Sequence, residues 1–246
     1  PEALGSMIAS IESVDALTYR ANAFSLVSSE NRTYGALVLG IDPGNEARVS
    51  TLKQTIVEGE YFKNLPNIAS PDPDSSDLIP ALVGHLLAKN LNVPVGDELT
   101  IKGQGRDGSV AATVAKVIGK YKSGLDEFDR STIQISLNHF QPIFAMDEAV
   151  HEVVVIGDTL KQVPQIKAAI TDILTKNFPD FDLTVLDWEA LVPGLRQAIS
   201  MDLVMGAIMY FILVIVVAFS ILNTFLMAIF ERTHEFGVLM AVGTKP

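Results

Sequence analysis

Apolar residues at Leu4, Met7, Ile8 and Ile11 recur at helical spacing, so the chain is expected to open with a helix. The pattern then changes period. "ALTYRANAFSLVSS" and "TYGALVLGID" read as strands, with "ENR" as the tight connection between them. "IDPGNE" reads as a turn from its Pro-Gly-Asn run, and "ARVSTLKQTIVEGEYF" as a short helix or an irregular segment. "IASPDPDSSD", rich in Pro, Ser and Asp, reads as an exposed loop. "LIPALVGHLLAKNLNV" predicts a short apolar strand running into a helix. "DELTIKG" and "SVAATVAKVIGKY" predict two strands joined by a loop, and "STIQISL" another strand. "NHFQPIFAM" begins with an Asn suited to cap a helix. After the strand "EVVVIGD", Ile166, Ala169, Ile170 and Ile173 share one face of an amphipathic helix. "FDLTVLDW" is expected as the next strand, making residues 152–188 a strand-helix-strand unit with a right-handed crossover. The class is α+β with mixed sheets, and no repeat of 20–50 residues is present.

The last part of the chain follows another rule. Residues 203–230, "LVMGAIMYFILVIVVAFSILNTFLMAIF", contain no charge. About 20 apolar residues cross a bilayer as a helix, and buried helices of soluble proteins rarely stay uncharged for longer. The run is therefore read as a transmembrane helix. At about 1.5 Å per residue it spans roughly 42 Å, longer than the hydrocarbon core, so it tilts or stands proud of the membrane on one side. From Gly194 onward no proline interrupts it, so the helix is expected to start near that glycine and enter the membrane without a flexible joint. Arg196 lies on one side, and Arg232 with Lys245 on the other, a slight bias toward a cytoplasmic C-terminal end. Asn223, the single amide in the run, makes either a helix–helix hydrogen bond or a substrate contact.

Charge sharpens this division. The net charge is -11, and beyond Leu203 the acids Glu231 and Glu235 balance Arg232 and Lys245, so the globular part carries all of it. An acidic domain without a Lys/Arg run argues against nucleic acid. The absence of cysteine excludes disulfides, thiol nucleophiles and thiolate metal sites, and fits a bacterial extracytoplasmic setting. The chain starts at Pro1 without an initiator Met or signal peptide and reads as a fragment cut at both ends.

The search for chemistry finds no catalytic constellation. "GQGRDG" (103–108) fits G-x-G-x-x-G, but the following residues read as a strand and not as a phosphate-binding helix, so it is expected to be a hairpin loop. "GLDEFD" gathers Asp126, Glu127 and Asp129 without the remaining ligands of a calcium loop and reads as a solvated loop. His85, His139, His151 and His234 are scattered, with no metal-binding spacing. No G-x-S-x-G elbow occurs. "VGTKP" is not a Walker A loop, and "NRT" (31–33) is formally a glycosylation sequon.

"NTFLMAIFERTHEFGVLMAVGTKP" resembles the FtsX-like permease signature of type VII ABC transporters. Asn223, Thr224, Glu231, Arg232, Glu235, Gly237, Ala241 and Gly243 stand at its positions, while Met240 stands where the family often carries Arg. "LVLGIDPGNEARV", "IVEGEYF", "LLAKNLNVPVGDELTI" and "YKSGLDEFDRSTIQISLNHFQ" are similar, in order, to the MacB-like and LolC/LolE-like periplasmic core domain of such permeases. The resemblance implies a two-lobed core domain, residues 1–192. A porter-like strand-helix-strand lobe would take residues 1 to about 30 and about 149–190, and a strand-rich lobe the rest. It implies a stalk and transmembrane helix over 193–230, and the start of a cytoplasmic coupling segment over 231–246.

The resemblance further implies that Glu231, Arg232, Glu235, Gly237, Ala241 and Gly243 couple to a separate ABC ATPase, which binds the ATP; no cofactor is expected in this chain. A second permease protomer in a homo- or heterodimer, and a lipoprotein or envelope-protein partner, are the remaining implied partners. The implied location is the bacterial inner membrane with the globular part outside the cytoplasm. Small residues at 237, 241 and 243 would let a partner backbone approach closely. A juxtamembrane helix lying on lipid is the other reading of this segment, and such helices are usually rich in Lys/Arg, whereas this one is neutral. A membrane-anchored sensory receptor is the alternative for the whole chain. It calls for heptads after the span, and "HEFGVLMAVG" has none.

Overall fold

The fold was described from a computed structural model, for residues 1–30, 32–62 and 78–243. Asn31 of the sequon, the Pro/Ser/Asp-rich loop and the last three residues lie outside the described residues. The chain divides into two compact units, Pro1–Leu183 and Thr184–Pro246.

The first unit is built on a long hairpin. Strand β1 (Val14–Ser28) follows helix α1 (Glu2–Ala9) and pairs antiparallel with β2 (Thr33–Ile41). Next come helix α2 (Pro43–Val49), a 3-10 turn (Leu52–Thr55) and the short strand β3 (Ile56–Gly59). Strand β4 (Ile79–Gly84) leads straight into α3 (His85–Leu91), ended by Asn92 in the left-handed region. Strands β5 (Glu98–Gln104) and β6 (Val110–Tyr121) form the second hairpin. Helix α4 (Asp126–Ser131), strand β7 (Thr132–Ser136), helix α5 (Leu137–Ile143), strand β8 (Glu152–Gly157) and helix α6 (Val163–Asn177) complete the unit.

Residues 26–28 of β1 pair with β2 and also with β5, so they use both edges of the strand. The neighbours run β2-β7-β4-β6-β5-β1 and return to β2, closing six strands into a barrel. Closure removes free edges and leaves a narrow interior that small side chains must fill. Ala21, Ala36, Ala81, Ala111 and Ala115 point inward with Val38, Val83, Leu99, Ile101, Ile133 and Ile135, all buried. Leu87 and Leu91 of α3 and Phe140 of α5 pack on the same core. Gly40 permits the approach of α5, because a Cβ there would lie 2.6 Å from the Phe140 ring. A second cluster of Ile41, Leu52, Phe62, Leu82 and Tyr121 covers part of the outer wall. It explains why every residue of β7 is buried.

Only the second half of β1 belongs to the barrel. Residues 14–20 pair with β8, and Arg20 is the crossing point, opposite Ile41 on one edge and Glu152 on the other. Helix α6 buries Ile166 and Ile170, as the amphipathic pattern predicted. The α+β class therefore holds, but one strand is shared between the strand-rich barrel and the smaller region of α1, β8 and α6. The boundary falls near Arg20, and not near residue 30.

Four local expectations are corrected. "IDPGNE" begins α2 instead of a turn: Asp42 accepts hydrogen bonds from the Gly44 and Asn45 amides, and Pro43 occupies the first turn. "GLDEFD" forms the start of α4, with Asp129 fully buried and not solvated. Ser136, and not Asn138, precedes α5, with no side-chain cap bond. Residues 181–187 form no strand, so the strand-helix-strand unit lacks its second strand. The apolar pattern there is present, but Phe181, Leu183 and Leu186 are exposed and no neighbouring strand pairs with the segment. A strand is defined by its partner as much as by its pattern.

The second unit contains α7 (Trp188–Leu191), capped by the Asp187 carboxylate accepting from the Ala190 amide, and the long helix α8 (Leu195–Ala241). Gly194, in the left-handed region at φ 88°, precedes α8 where the absence of proline beyond it predicted the start.

Candidate functional site

Helix α8 contains 47 residues, about 70 Å at the rise of an α-helix. It is long and apolar enough to cross a membrane, with a mean hydropathy of 2.7 over its best window and no part of that window buried. Thr224 and Thr233 return their hydroxyls to the carbonyls of Ser220 and Ile229, which satisfies both groups within the helix. At its start, Arg196 makes an ion pair with Glu189 at 2.9 Å.

Asn223, Glu231, Arg232, Glu235, Gly237 and Ala241 all lie on this one helix, and Gly243 follows its end in the left-handed region at φ 94°. Nothing lies within 4 Å of where a Cβ would stand on Gly237 or Gly243, so both positions present open backbone. Asn223, Glu231, Arg232 and Glu235 are exposed as well. The helix therefore places Asn223 within the apolar run and brings Glu231, Arg232, Glu235, Gly237 and Ala241 into a continuous segment directly after it.

The first unit holds features that the residue pattern did not announce. His85 and Asp129 meet: Nδ1 lies 3.1 Å from the carboxylate Oδ2, within ion-pairing reach but off the angle of a hydrogen bond. The other carboxylate oxygen of Asp129 accepts from the amide and hydroxyl of Ser123. Gly84 allows this packing, since a Cβ there would stand 2.2 Å from the Asp129 carbonyl oxygen. Tyr121, fully buried, donates to the Thr132 carbonyl, and burial pushes its phenol well above the usual tyrosine range. Arg20 and Glu46 form a two-pronged ion pair at 2.6 and 3.1 Å. Tyr61, whose hydroxyl donates to the Pro43 carbonyl, is pushed upward first by burial and then by the nearby charge of Glu46. Each is a tie between elements, with no arrangement of nucleophile, base and orienting group. Among the described residues no group of three or more His, Asp or Glu side chains is placed to hold a metal ion.

"GQGRDG" is a hairpin loop, as expected, between Gln104 of β5 and Val110 of β6. It forms one wall of a cavity of about 460 Å³ at an end of the barrel. Phe140, Phe144 and Met146 make its buried floor, and Phe24, Arg106 and His151 stand at its rim.

The chain thus combines an acidic α+β domain built on a barrel with a helix long and apolar enough to cross a membrane. Comparison with known proteins narrows this. The chain is 23% identical over 232 residues to the lipoprotein-releasing system transmembrane protein LolC of Neisseria meningitidis, covering 90% of this chain and 51% of that protein. It is 25% identical over 175 residues to an uncharacterized ABC transporter permease of Methanocaldococcus jannaschii, covering 70% of this chain and 42% of that one. The chain thus spans about half the length of the curated relatives it matches. Among solved structures, the extracellular domain of the noncanonic ABC-type transporter YknZ from Gram-positive bacteria shares the fold. Its TM-score is 0.55 at 16% identity, over 72% of this chain and 83% of that one. No family model matches the chain. Both sequence relatives are named as permease or membrane components of transport systems, which bears out the resemblance to FtsX-like permeases and their core domain.

Proposed function

We propose that this chain is part of the permease subunit of a type VII ABC transporter. In this reading, residues 1–192 form the extracytoplasmic core domain and 193–230 the stalk and transmembrane helix. Residues 231–246 begin the cytoplasmic coupling segment. The observation that carries the reading is the unbroken helix Leu195–Ala241, which holds both the charge-free run and the signature residues Glu231 to Ala241. A helix without a break transmits displacement along its axis, because its backbone hydrogen bonds resist local bending.

ATP binding closes a partner ATPase dimer outside this chain. Glu231, Arg232, Glu235, Gly237, Ala241 and Gly243 receive that motion, the three charges of mixed sign fixing orientation and the small residues allowing close approach. The core domain then moves against an extracytoplasmic partner. The likeness to LolC supports lipoprotein release as the cargo class, with efflux-type export as the other member of the same mechanism. A second permease protomer completes the pathway, and Asn223 serves helix–helix packing within it. The setting is a bacterial inner membrane, with ATP hydrolysis left to the separate ATPase.

The test is association with the ATPase. Glu231→Lys and Gly237→Leu, made in the whole permease, are expected to reduce co-purification of the ATPase at least tenfold while leaving membrane insertion intact. Unchanged association together with unchanged transport would sink the coupling role.

A further inference from the structure

The second unit opens on an apolar elbow. Helix α7 ends at Leu191, Pro193 and Gly194 follow, and the chain sets off again as α8. Arg196 Nη1 donates to both oxygens of the Glu189 carboxylate, at 2.9 and 3.0 Å, and so ties α7 to the first turn of α8. Trp188 and Leu191, three residues apart, share one side of the α7 turn, and Leu195 and Ile199, four apart, share one face of α8. Trp188 is half-buried. Leu191, Val192, Leu195 and Ile199 are exposed by 64%, 51%, 40% and 48%. Exposed apolar side chains grouped in this way mark a contact surface.

The charges of the elbow are already engaged. Among residues 186–201 only Asp187, Glu189 and Arg196 are ionic. Asp187 accepts from the Ala190 amide at 3.0 Å, and Glu189 holds Arg196. No cluster of one sign is left to select a charged partner. The surface fits a partner that is zwitterionic outside and apolar beneath. Tryptophan suits the same setting, since its large ring and single N–H donor favour the boundary between membrane and water.

Covalent structure fixes which surface lies near. Helix α8 runs unbroken from Leu195 into the charge-free run at Leu203, about 12 Å further on. That run, about 42 Å long, exceeds a hydrocarbon core of about 30 Å and has two placements. A span of about 20 residues ending at Phe230 puts the Asn223 amide inside the hydrocarbon, where it needs a partner. A span of about the same length starting at Leu203 has Asp202 at its edge and ends near Leu222. Asn223 then stands at the far headgroup layer, satisfied with or without a helix partner, which makes this placement the cheaper one. At a tilt of about 20–40° it sets Ile199 about 5 Å and Leu195 about 10 Å above the core, against a headgroup layer roughly 5–8 Å deep. Leucine and tryptophan side chains at the elbow reach across the difference. Surface helices that bind membranes from solution are usually rich in Lys/Arg, but a segment joined to a membrane-crossing helix needs no such attraction. Residues 231–241 are joined in the same way yet continue the axis of α8 out of the membrane, whereas Gly194 breaks that axis.

We infer that the elbow rests on the zwitterionic lipid surface of the extracytoplasmic leaflet. Trp188, Leu191, Val192, Leu195 and Ile199 enter its headgroup layer, and the surplus length of the charge-free run leaves the membrane at the cytoplasmic end. The elbow thereby fixes the depth of α8. The inference deepens the permease reading, on which it rests for taking 193–230 as the membrane-crossing part.

Trp188 is the one tryptophan of the chain, so its fluorescence reports on the elbow alone. The full chain is reconstituted in phosphatidylcholine vesicles that carry a nitroxide on the headgroup, high on the acyl chain or near the bilayer centre. The first two labels are expected to quench Trp188 at least twofold more than the deepest one. Trp188→Phe with Leu191→Trp moves the reporter to the exposed side of α7 and is expected to be quenched by the headgroup label as strongly as the parent or more. Leu191→Asp with Val192→Asp is expected to cut that quenching at least threefold, while the chain still floats with the vesicles and its circular dichroism is unchanged. Quenching by aqueous acrylamide with none by any lipid label would overturn the proposal. So would strongest quenching by the deepest label, or parental quenching in the double aspartate variant. Emission that ignores the lipid labels but shifts as the chain is diluted in the bilayer would put a second copy on this face, and would overturn it too. A chain that does not float with the vesicles overturns the membrane-crossing reading as well, whereas a floating chain with unquenched Trp188 overturns this inference alone. Because no ATPase is present, neither result touches the coupling role.

Discussion

Glu46 is 3% exposed yet charged, and its tolerance depends on Arg20. The pair sits where β1 changes its second neighbour from β8 to the barrel, so it ties α2 to that crossing. Removing one partner leaves the other charge uncompensated. Arg20→Met is expected to destabilise the folded chain by about 3–5 kcal/mol, and Arg20→Met with Glu46→Leu to recover most of the loss. Denaturant unfolding of the two variants checks this, and a double variant no better than the single would reject it. His139 gives a second test at this scale. Burial draws its imidazole below the histidine reference of 6.5, and its Nδ1 is buried without a partner. Below that value the unfolded chain takes a proton that the folded chain resists. The stability is therefore full above about pH 6.5 and falls as pH drops toward the folded value. Replacing His139 with Leu is expected to flatten the change in melting temperature between pH 7 and 5 relative to the parent chain. Neither partner could be found from spacing, since Arg20 and Glu46 are ordinary charges at positions set only by the strand crossing.

Elements were legible where the pattern was local. Both hairpins, the strand-to-helix passage of β4 into α3, the amphipathic α6 and the start of α8 follow from periodicity, turns and the charge-free run. Barrel closure was not legible, because β1 meets β5 through pairings more than 70 residues apart in sequence that leave no local mark. Residues 181–187 carry a strand pattern but find no strand to pair with, and the Asp42–Pro43 start of α2 looks like a turn until a helix follows. The cavity was hidden for a similar reason: its glycines were visible in "GQGRDG", while the left-handed Ala145 and Asp147 were not. The β4–α3 junction offers an element-scale prediction. At Gly84 the backbone of α4 fills the Cβ position, with the Asp129 carbonyl carbon 2.7 Å away. Gly84→Ala must separate α3 from α4 and is expected to lower stability by about 2–3 kcal/mol. Gly96→Ala is the informative contrast: nothing lies near its Cβ, so only its φ of 102° opposes the change. A melting temperature unmoved by Gly84→Ala would show that the two helices adjust freely.

The whole chain joins two stiff bodies of different character: a closed barrel, whose strands brace one another, and a single helix of 47 residues. A transmission role needs stiffness along α8, and this separates it from a mere anchor. An anchor tolerates a bend outside the bilayer; a lever does not. Ser200 lies inside α8 before the charge-free run, where its amide belongs to the helical ladder and its side chain only returns to the Gln197 carbonyl. Ser200→Pro removes one backbone hydrogen bond, crowds the preceding turn and kinks the helix, at about 3 kcal/mol or more, without touching the apolar run or residues 231–243. Under the permease reading proposed above, the variant, assembled with an ABC ATPase, is therefore expected to insert and associate normally, with ATP hydrolysis close to the parent rate. It is expected to lose at least tenfold in transport per ATP hydrolysed. Ser200→Ala, which keeps the helix, is expected to match the parent in every measure. The ratio of transport to hydrolysis is the deciding quantity, because a folding defect lowers both numbers while a broken lever lowers only one. Parental coupling in the proline variant would show that α8 holds the core domain in place without moving it.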